Sequence, residues 1–489
     1  MCAAIPAHDP GLIGRYNLTM NQPNEPTLAI DVYRKRRERV LAALRAAGDG
    51  VAIVPTAPEV VRNRDADYPY RHDSYFYYLT GFTEPQGLLV LDASAGGSGP
   101  ASILFCRAKN EEREIWDGFR FGPEAAREAF GFDAAFAVED IESQMPLILA
   151  DKPALHYALG SSAELDEKVR RWLDAVRGKA RSGVAAPVAA HDLLPLLDEM
   201  RLFKDSHELS IMRRAGQISA QAHRRAMATS FAGVREYELE AELLYTFRKH
   251  GAQGPAYGSI VAAGGNACVL HYAAGNTIAR DGDLILIDAA CELDGYASDI
   301  TRTFPANGRF TPAQRELYDI VLASQEAAIA ATRPGATFDD PHNAALRVLS
   351  QGLLDTGIVD RGLFSSVDDM IVERAYAPFY MHRTSHWIGM DVHDCGDYRE
   401  RGAPRDAQGA LPSRTLHASM ALTIEPGLYI RPTENVPERY WNIGIRIEDD
   451  AVVTPNGCEL LTRDVPVKAD EIEALMQEAQ ASASATRAV

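Results

Sequence analysis

The stretch I-L-I-D-A-A-C-E-L-D-G-Y-A-S-D-I-T-R, residues 285 to 302, decides how the rest of the chain is read. Asp288 follows directly on an apolar run, where burying a carboxylate is costly unless a cation meets it. A second carboxylate, Asp299, lies beyond Asp294-Gly295, a dipeptide that favours a two-residue hairpin turn. If that turn closes a hairpin, either plausible register makes Asp288 and Asp299 opposite or diagonal neighbours on one face. The two carboxylates are then expected to converge on one spot.

Around this stretch the chain has 489 residues, 46% of them hydrophobic, and a formal charge of −18. That length accommodates two large domains or about three ordinary ones. The acidic balance argues against nucleic acid or an anionic membrane surface as partner, since both demand a basic face. Cys2, Cys106, Cys268, Cys291, Cys395 and Cys458 form no C-x-x-C pair, which fits free thiols in a reducing compartment. The first residues lack a charged start followed by an apolar run, and no segment reaches the roughly 18 apolar residues of a spanning helix. The expected location is cytoplasmic.

Residues 1–27, rich in Pro, Asn and small residues, read as a flexible arm. A helical pattern follows from Asp31 to Ala46, then short apolar runs at 51–54, 87–91 and 102–106 separated by turns and helical stretches. The span 28–200 is therefore expected to be an α/β domain. Asp205 and Glu208 make a capping pattern ahead of a stripe of Ile211, Ala215, Ile218 and Ala222, so a second domain is expected over 201–476. It contains a helix from Val234 to His250 and the Gly-rich run Y-G-S-I-V-A-A-G-G-N at 257–266. Carboxylate clusters in both of its halves hint at an internal duplication. Residues 477–489 read as a disordered tail.

The chemistry concentrates late in the chain. His382, His386 and His393 fall within H-R-T-S-H-W-I-G-M-D-V-H, Glu425 ends the apolar run of T-I-E-P-G-L-Y, and G-I-R-I-E-D-D places Arg446 and Glu448 on one side of a strand. The spacing of His382 and His386 fits a shared face on a helix or a strand. Each piece alone has a plain structural reading: a turn aspartate, satisfied core histidines, a solvated charge run. Together, Asp288, Asp299, His386, Glu425 and Glu448 would repel one another unless some took up protons. Two divalent ions remove that conflict, and an oxygen-rich set with one imidazole and no thiolate suits Mn²⁺, Mg²⁺, Co²⁺ or Zn²⁺ at a non-structural site. Two metals about 3.5–4 Å apart would hold a hydroxide and polarise a carbonyl, which is hydrolase chemistry.

The motifs I-D-A-A-C-E-L-D-G-Y-A-S-D-I-T-R-T-F-P, H-x-x-S-H-W-I-G-M-D-V-H-D, T-I-E-P-G-L-Y-I and G-I-R-I-E-D-D closely resemble those of the pita-bread-fold metallopeptidases, in particular the Xaa-Pro aminopeptidase (aminopeptidase P) family. R-N-R-D-A-D-Y-P-Y-R-H-D-S-Y-F-Y-Y-L-T-G-F-T-E-P at 62–85, F-C-R at 105–107 and E-I-W-D-G at 114–118 are similar to the amino-terminal domain of the same family, so the likeness runs from about residue 30 to 476.

The resemblance implies an α/β amino-terminal domain followed by an α+β pita-bread domain with a pseudo-twofold duplication. It implies two metals, usually manganese. Asp288 would bind one, Asp299 and Glu448 would bridge both, and His386 with Glu425 would complete the other. Catalysis would use a metal-bridging hydroxide, with Glu425 as general base, to remove an N-terminal residue when proline is second. His271, His382 and His393 would bind substrate and move protons, Arg446 would act with them in catalysis by orienting ligands, and Tyr429 would shape the pocket and contact substrate. A homotetramer, or a homodimer, is also implied, with Asp65 and Trp116 facing the substrate's amino end or the cleft. Two departures stand out: Arg383 replaces the family's usual glycine, and the run Arg399 to Ala418 is longer, with H-A-S at 417–419 in place of E-P-G.

Prolidase, an X-Pro dipeptidase, shares the fold and all five ligands. The amino-terminal and C-terminal motifs favour the aminopeptidase. A metal-free creatine amidinohydrolase or an inactive binding module is disfavoured because the full ligand set is present.

Overall fold

The computed structural model describes residues 26–94 and 99–487, so the arm expected at 1–27 falls outside the described residues up to position 25. Helix α1 (Pro26–Ala46) takes in the last two residues of that span. The chain divides into two compact units, residues 1–193 and 194–489.

The first unit is built on a six-stranded mixed sheet. Its strands are β1 (Val51–Pro55), β2 (Leu88–Asp92), β3 (Ser102–Cys106), β4 (Ala134–Ala137), β5 (Ala154–Tyr157) and β6 (Ala189–Asp192), in the order β4-β3-β2-β1-β5-β6. The central strands are buried on both faces, which is why they read as unbroken apolar runs rather than as alternation. Val51, Ile53, Val90, Phe105, Leu155 and Trp172 form its core.

The second unit shows the duplicated plan, because each half contributes a helix pair and then strands. Helices α2 (Ser206–Thr229) and α3 (Glu236–Lys249) precede β7 (Ile260–Ala263), β8 (Leu284–Asp288), β9 (Cys291–Leu293), β10 (Tyr296–Ala297) and β11 (Thr301–Pro305). Helices α4 (Pro312–Ala331) and α5 (Asp339–Asp355) precede β12 (Ala421–Ile424), β13 (Gly427–Ile430), β14 (Ile443–Arg446), β15 (Asp449–Thr454) and β16 (Gly457–Leu460). The α2 start carries the full capping box, with Asp205 accepting from the Glu208 N–H and Glu208 returning to the Asp205 N–H. This unit begins ahead of that cap because the helix Leu194–Leu202 sends Leu202 into a cluster with Trp387, Met420 and Leu422.

The deciding stretch folds as one antiparallel register. Leu293 pairs with Tyr296, Glu292 with Ala297, Asp288 with Thr301 and Ile287 with Arg302. Asp294 and Gly295 take φ of 48° and 77°, the left-handed pair a tight two-residue turn needs. Asp299 therefore stands diagonal to Asp288 on the same face. On β8 the opposite face, Ile285 and Ile287, packs into the main core with α2, α3, α4 and α5, whereas Leu286 joins Ile260, Ala262 and Tyr429.

The closing helix α6 (Ala469–Arg487) corrects the disordered tail expected over 477–489 as far as Arg487, and positions 488 and 489 lie outside the described residues. Its alanine-rich end has high helix propensity, so low complexity there does not prevent helix formation. Among the described residues, no helix is long and apolar enough to cross a membrane.

Candidate active site

Asp288 and Asp299 meet at a third side chain. The Tyr257 hydroxyl lies 2.6 Å from Asp288 Oδ1 and 2.6 Å from Asp299 Oδ1. One phenol proton can serve only one of these carboxylates at a time. Arg446 reaches the other oxygen of Asp288, with Nη2 donating to Oδ2 at 2.5 Å, and also donates through Nη1 to the Tyr429 hydroxyl at 2.9 Å.

Thr301, opposite Asp288 in the ladder, links this hairpin to the late motif. Its hydroxyl donates to Glu448 Oε2 at 2.7 Å and accepts from Arg446 Nε at 3.1 Å. The backbone N–H of Glu448 donates to the Thr301 carbonyl at 3.0 Å. Arg446 and Glu448 thus do share a side, as their spacing predicts.

The segment carrying His382 and His386 is neither a helix nor a regular strand. It runs as an irregular edge beside β12: Glu425 N–H donates to Thr384 O at 2.8 Å, Thr423 N–H to His386 O at 2.9 Å and Ile388 N–H to Ala421 O at 3.2 Å. That pairing brings His386 beside Glu425, with Nε2 lying 3.6 Å from Glu425 Oε1 and 3.5 Å from Asp299 Oδ2. His386 Nδ1 bonds the Trp387 carbonyl at 2.9 Å, which leaves Nε2 as the nitrogen turned to the carboxylates.

The electrostatics ask for cations. Burial drives the carboxyls of Asp299, Glu425 and Glu448 above their ordinary range. Repulsion adds to this: Asp299 and Glu425 press hardest on Glu448, and Asp288 presses on Asp299. Burial opposes charge on His386, yet Asp299 and Glu425 outweigh it and push the imidazole up to about 9. Asp299, His386 and Glu448 present ligand atoms all within 4.8 Å of one another, and all three are buried. The donor set fits divalent ions with oxygen and imidazole preference.

These groups face a cavity of about 840 Å³ that is also lined by Asp288, Glu425, Arg446, His271, His382 and His393. His393 stacks on His386 with ring centroids 3.9 Å apart. His382 hydrogen-bonds the Tyr429 hydroxyl through Nε2 at 2.8 Å, and burial, aided by Arg446, pulls its imidazole down to about 4. Tyr429, expected to contact substrate, is fully buried and does not line the cavity. Its hydroxyl is engaged by His382 and Arg446, so it positions them instead. Asp65 and Trp116 belong to the other unit; Asp65 is exposed at the tip of a short hairpin and Trp116 is 79% exposed on the helix Glu111–Asp117.

Sequence reading missed Tyr257 and Asp450. Tyr257 sits in the Gly-rich run, where its only signal is a lone aromatic beside glycine and serine. Asp450 reads as one member of a charge run, but it is buried and accepts the Ser298 hydroxyl and the Asp299 N–H, each at 3.0 Å. It thereby fixes the backbone that aims Asp299.

Residues 210–455 match the model of metallopeptidase family M24, and residues 33–156 match the aminopeptidase P N-terminal domain. The chain is 45% identical over 444 residues to an Xaa-Pro aminopeptidase of Escherichia coli strain K12, covering 91% of this chain and 97% of that one. Among solved structures, Pseudomonas aeruginosa aminopeptidase PepP superposes with a TM-score of 0.87 at 46% identity, covering 92% of this chain and 99% of that one. A zinc-substituted E. coli aminopeptidase P in complex with product gives 0.85 at 43% identity, with 92% and 98% covered.

Proposed function

Because this chain belongs to the Xaa-Pro aminopeptidases of metallopeptidase family M24, we propose that the site hydrolyses the bond between an N-terminal residue and proline with two divalent metals, manganese by preference. The observation that carries this reading is the meeting of Asp288, Asp299, His386, Glu425 and Glu448 at one cavity. Asp288, Asp299, His386, Glu425 and Glu448 would hold these ions, Asp288 serving one, His386 with Glu425 the other, and Asp299 and Glu448 both. When bound, the two ions supply Lewis acidity and a water that loses its proton near neutral pH.

The chain's own groups supply the rest. Glu425 is assigned as the base because its carboxylate faces the cavity beside His386, with Oε1 3.6 Å from Nε2, within reach of a water held there. His382, neutral, is fixed on the cavity wall by the Tyr429 hydroxyl at Nε2 and the Arg383 carbonyl at Nδ1, and His271 and His393 face the same space. An X-Pro bond is a tertiary amide without an N–H, so recognition has to rest on the carbonyl and the ring. A wall of imidazoles and apolar groups such as Ile260 and Leu270 suits that shape.

The homotetramer remains part of the proposal, supported by the exposed Ile115, Trp116 and Phe119 on the first unit. Asp65 and Trp116 are then proposed to limit a cleft. A cytoplasmic location is supported by free thiols at Cys106, Cys268 and Cys291. The test is metal analysis paired with assay of an X-Pro-containing pentapeptide and Gly-Pro. Chelation is expected to abolish cleavage of the pentapeptide and Mn²⁺ to restore it. Full activity with no residual metal would overturn the metal assignment, and cleavage of Gly-Pro alone would make the protein a prolidase.

A further inference from the structure

One wall of the cavity carries a charge that the hydrolytic machinery leaves unused. Arg383, Arg399 and Asp339 all line the cavity. Arg383 Nη2 donates to Asp339 Oδ1, and Arg399 Nη1 donates to Asp339 Oδ2 at 2.8 Å. The two guanidiniums therefore share a single carboxylate and retain one net positive charge. Among the described residues, the remaining Nε and Nη atoms of both arginines have no partner, and their side chains are 52% and 49% exposed. Exposed ion pairs of this kind add little stability, so a stabilising role does not account for them.

Both arginines are also held in place. Arg383 follows His382 directly, and its carbonyl takes a bond from His382 Nδ1 at 2.8 Å. Arg399 lies on a ribbon fastened by Glu400 N–H to Pro412 O at 3.0 Å and by Arg414 N–H to Tyr398 O at 3.0 Å. That ribbon is tied to the start of α5 by Phe338 N–H to Arg414 O at 2.7 Å and Asp339 N–H to the Ser413 hydroxyl at 3.1 Å. The other charges on the cavity are Arg446, which is paired with Asp288, the four ligand carboxylates, and Glu240 on α3.

We propose that Arg383 and Arg399 bind a substrate carboxylate located just beyond proline, so that the enzyme prefers X-Pro peptides acidic at that point. The fork of N–H groups on each guanidinium matches the two oxygens of a carboxylate. That carboxylate can be the C-terminus of a tripeptide or the side chain of an Asp or Glu. The inference rests on the aminopeptidase reading and deepens it.

The test compares three substrates on the Mn²⁺-loaded enzyme: X-Pro-Ala as free acid, the same tripeptide as C-terminal amide, and X-Pro-Asp as amide. At least one carboxylate peptide is expected to exceed the Ala amide in kcat/KM by roughly tenfold, the size of one charge-assisted hydrogen bond. Preference for the free acid alone identifies the chain terminus as the ligand, and preference for the Asp amide identifies the side chain. The advantage should shrink as salt is raised. Arg383→Gln and Arg399→Gln should each move the ratio toward one, every ratio being taken within a single protein preparation. Equal kcat/KM for all three peptides with the unmodified enzyme would overturn the proposal, as would an unchanged ratio in both variants. Failure to cleave any of them would instead remove the aminopeptidase reading, and this inference with it.

Discussion

Glu425 and Tyr257 show how much a single atom decides at this site. Glu425→Gln keeps the shape and an oxygen able to face a cation but cannot take a proton. Turnover of an X-Pro peptide is expected to fall by about 10²–10⁴, while metal analysis still finds bound ions. Near-normal turnover would assign the base elsewhere. Tyr257→Phe removes the hydroxyl that Asp288 and Asp299 share. Loss of such a supporting contact typically costs about 10–100-fold in metal affinity or activity, readable by titrating Mn²⁺ against activity. At this scale the sequence spoke plainly about carboxylates, because an acid at the end of an apolar run needs a reason. It was silent about Tyr257, since a tyrosine in a Gly-rich run needs none.

At the scale of elements, the Asp394 triad joins two distant stretches. Asp394 is buried against Arg201 at 2.6 Å and Lys204 at 2.9 Å, which ties the end of the helix Leu194–Leu202 to the loop bearing His393. Burial alone would raise the Asp394 carboxyl, but Lys204 and Arg201 hold it below its usual range. Asp394→Asn takes the charge partner from the buried Lys204 and leaves the buried Arg201 with the half-exposed Asp391, so a loss of about 3–5 kcal/mol is expected in urea unfolding. A loss below 1 kcal/mol would show that water reaches the pair. This tie spans about 190 residues and left no trace in local pattern. The hairpin was legible because its turn dipeptide and its alternation are both local. The His382 and His386 segment was not, because its conformation is imposed by β12, which comes some 40 residues later.

For the molecule as a whole, His223 is one of the buried imidazoles on which acid stability turns. It is fully buried on α2, with Nε2 at 2.8 Å from the Ala289 carbonyl and Nδ1 without a partner. Burial pulls it down to about 4, so the folded state holds it neutral. A group depressed in this way stabilises fully above its unfolded value of about 6.5, and that contribution is lost as pH falls toward 4. Unfolding free energy is expected to drop by about 2–3 kcal/mol more between pH 7 and 4.5 in the native protein than in His223→Gln. Equal drops would mean that His223 is hydrated. The two-unit plan was readable from composition shifts and the capping box. The exact division was not, since it depends on where Leu202 finds its packing partners.

The turn at Asp294 and Gly295 has a consequence for what this chain tolerates over time. Asp294 is exposed, and sites of that kind normally accept insertions. Here the tip meters the offset between two acids eleven positions apart, because one uninterrupted register runs from Leu293 and Tyr296 back to Asp288 and Thr301. Adding or removing a single residue would slide one arm past the other and turn either Asp288 or Asp299 toward the helices. An insertion at this exposed tip is therefore expected to cost the two acids their alignment.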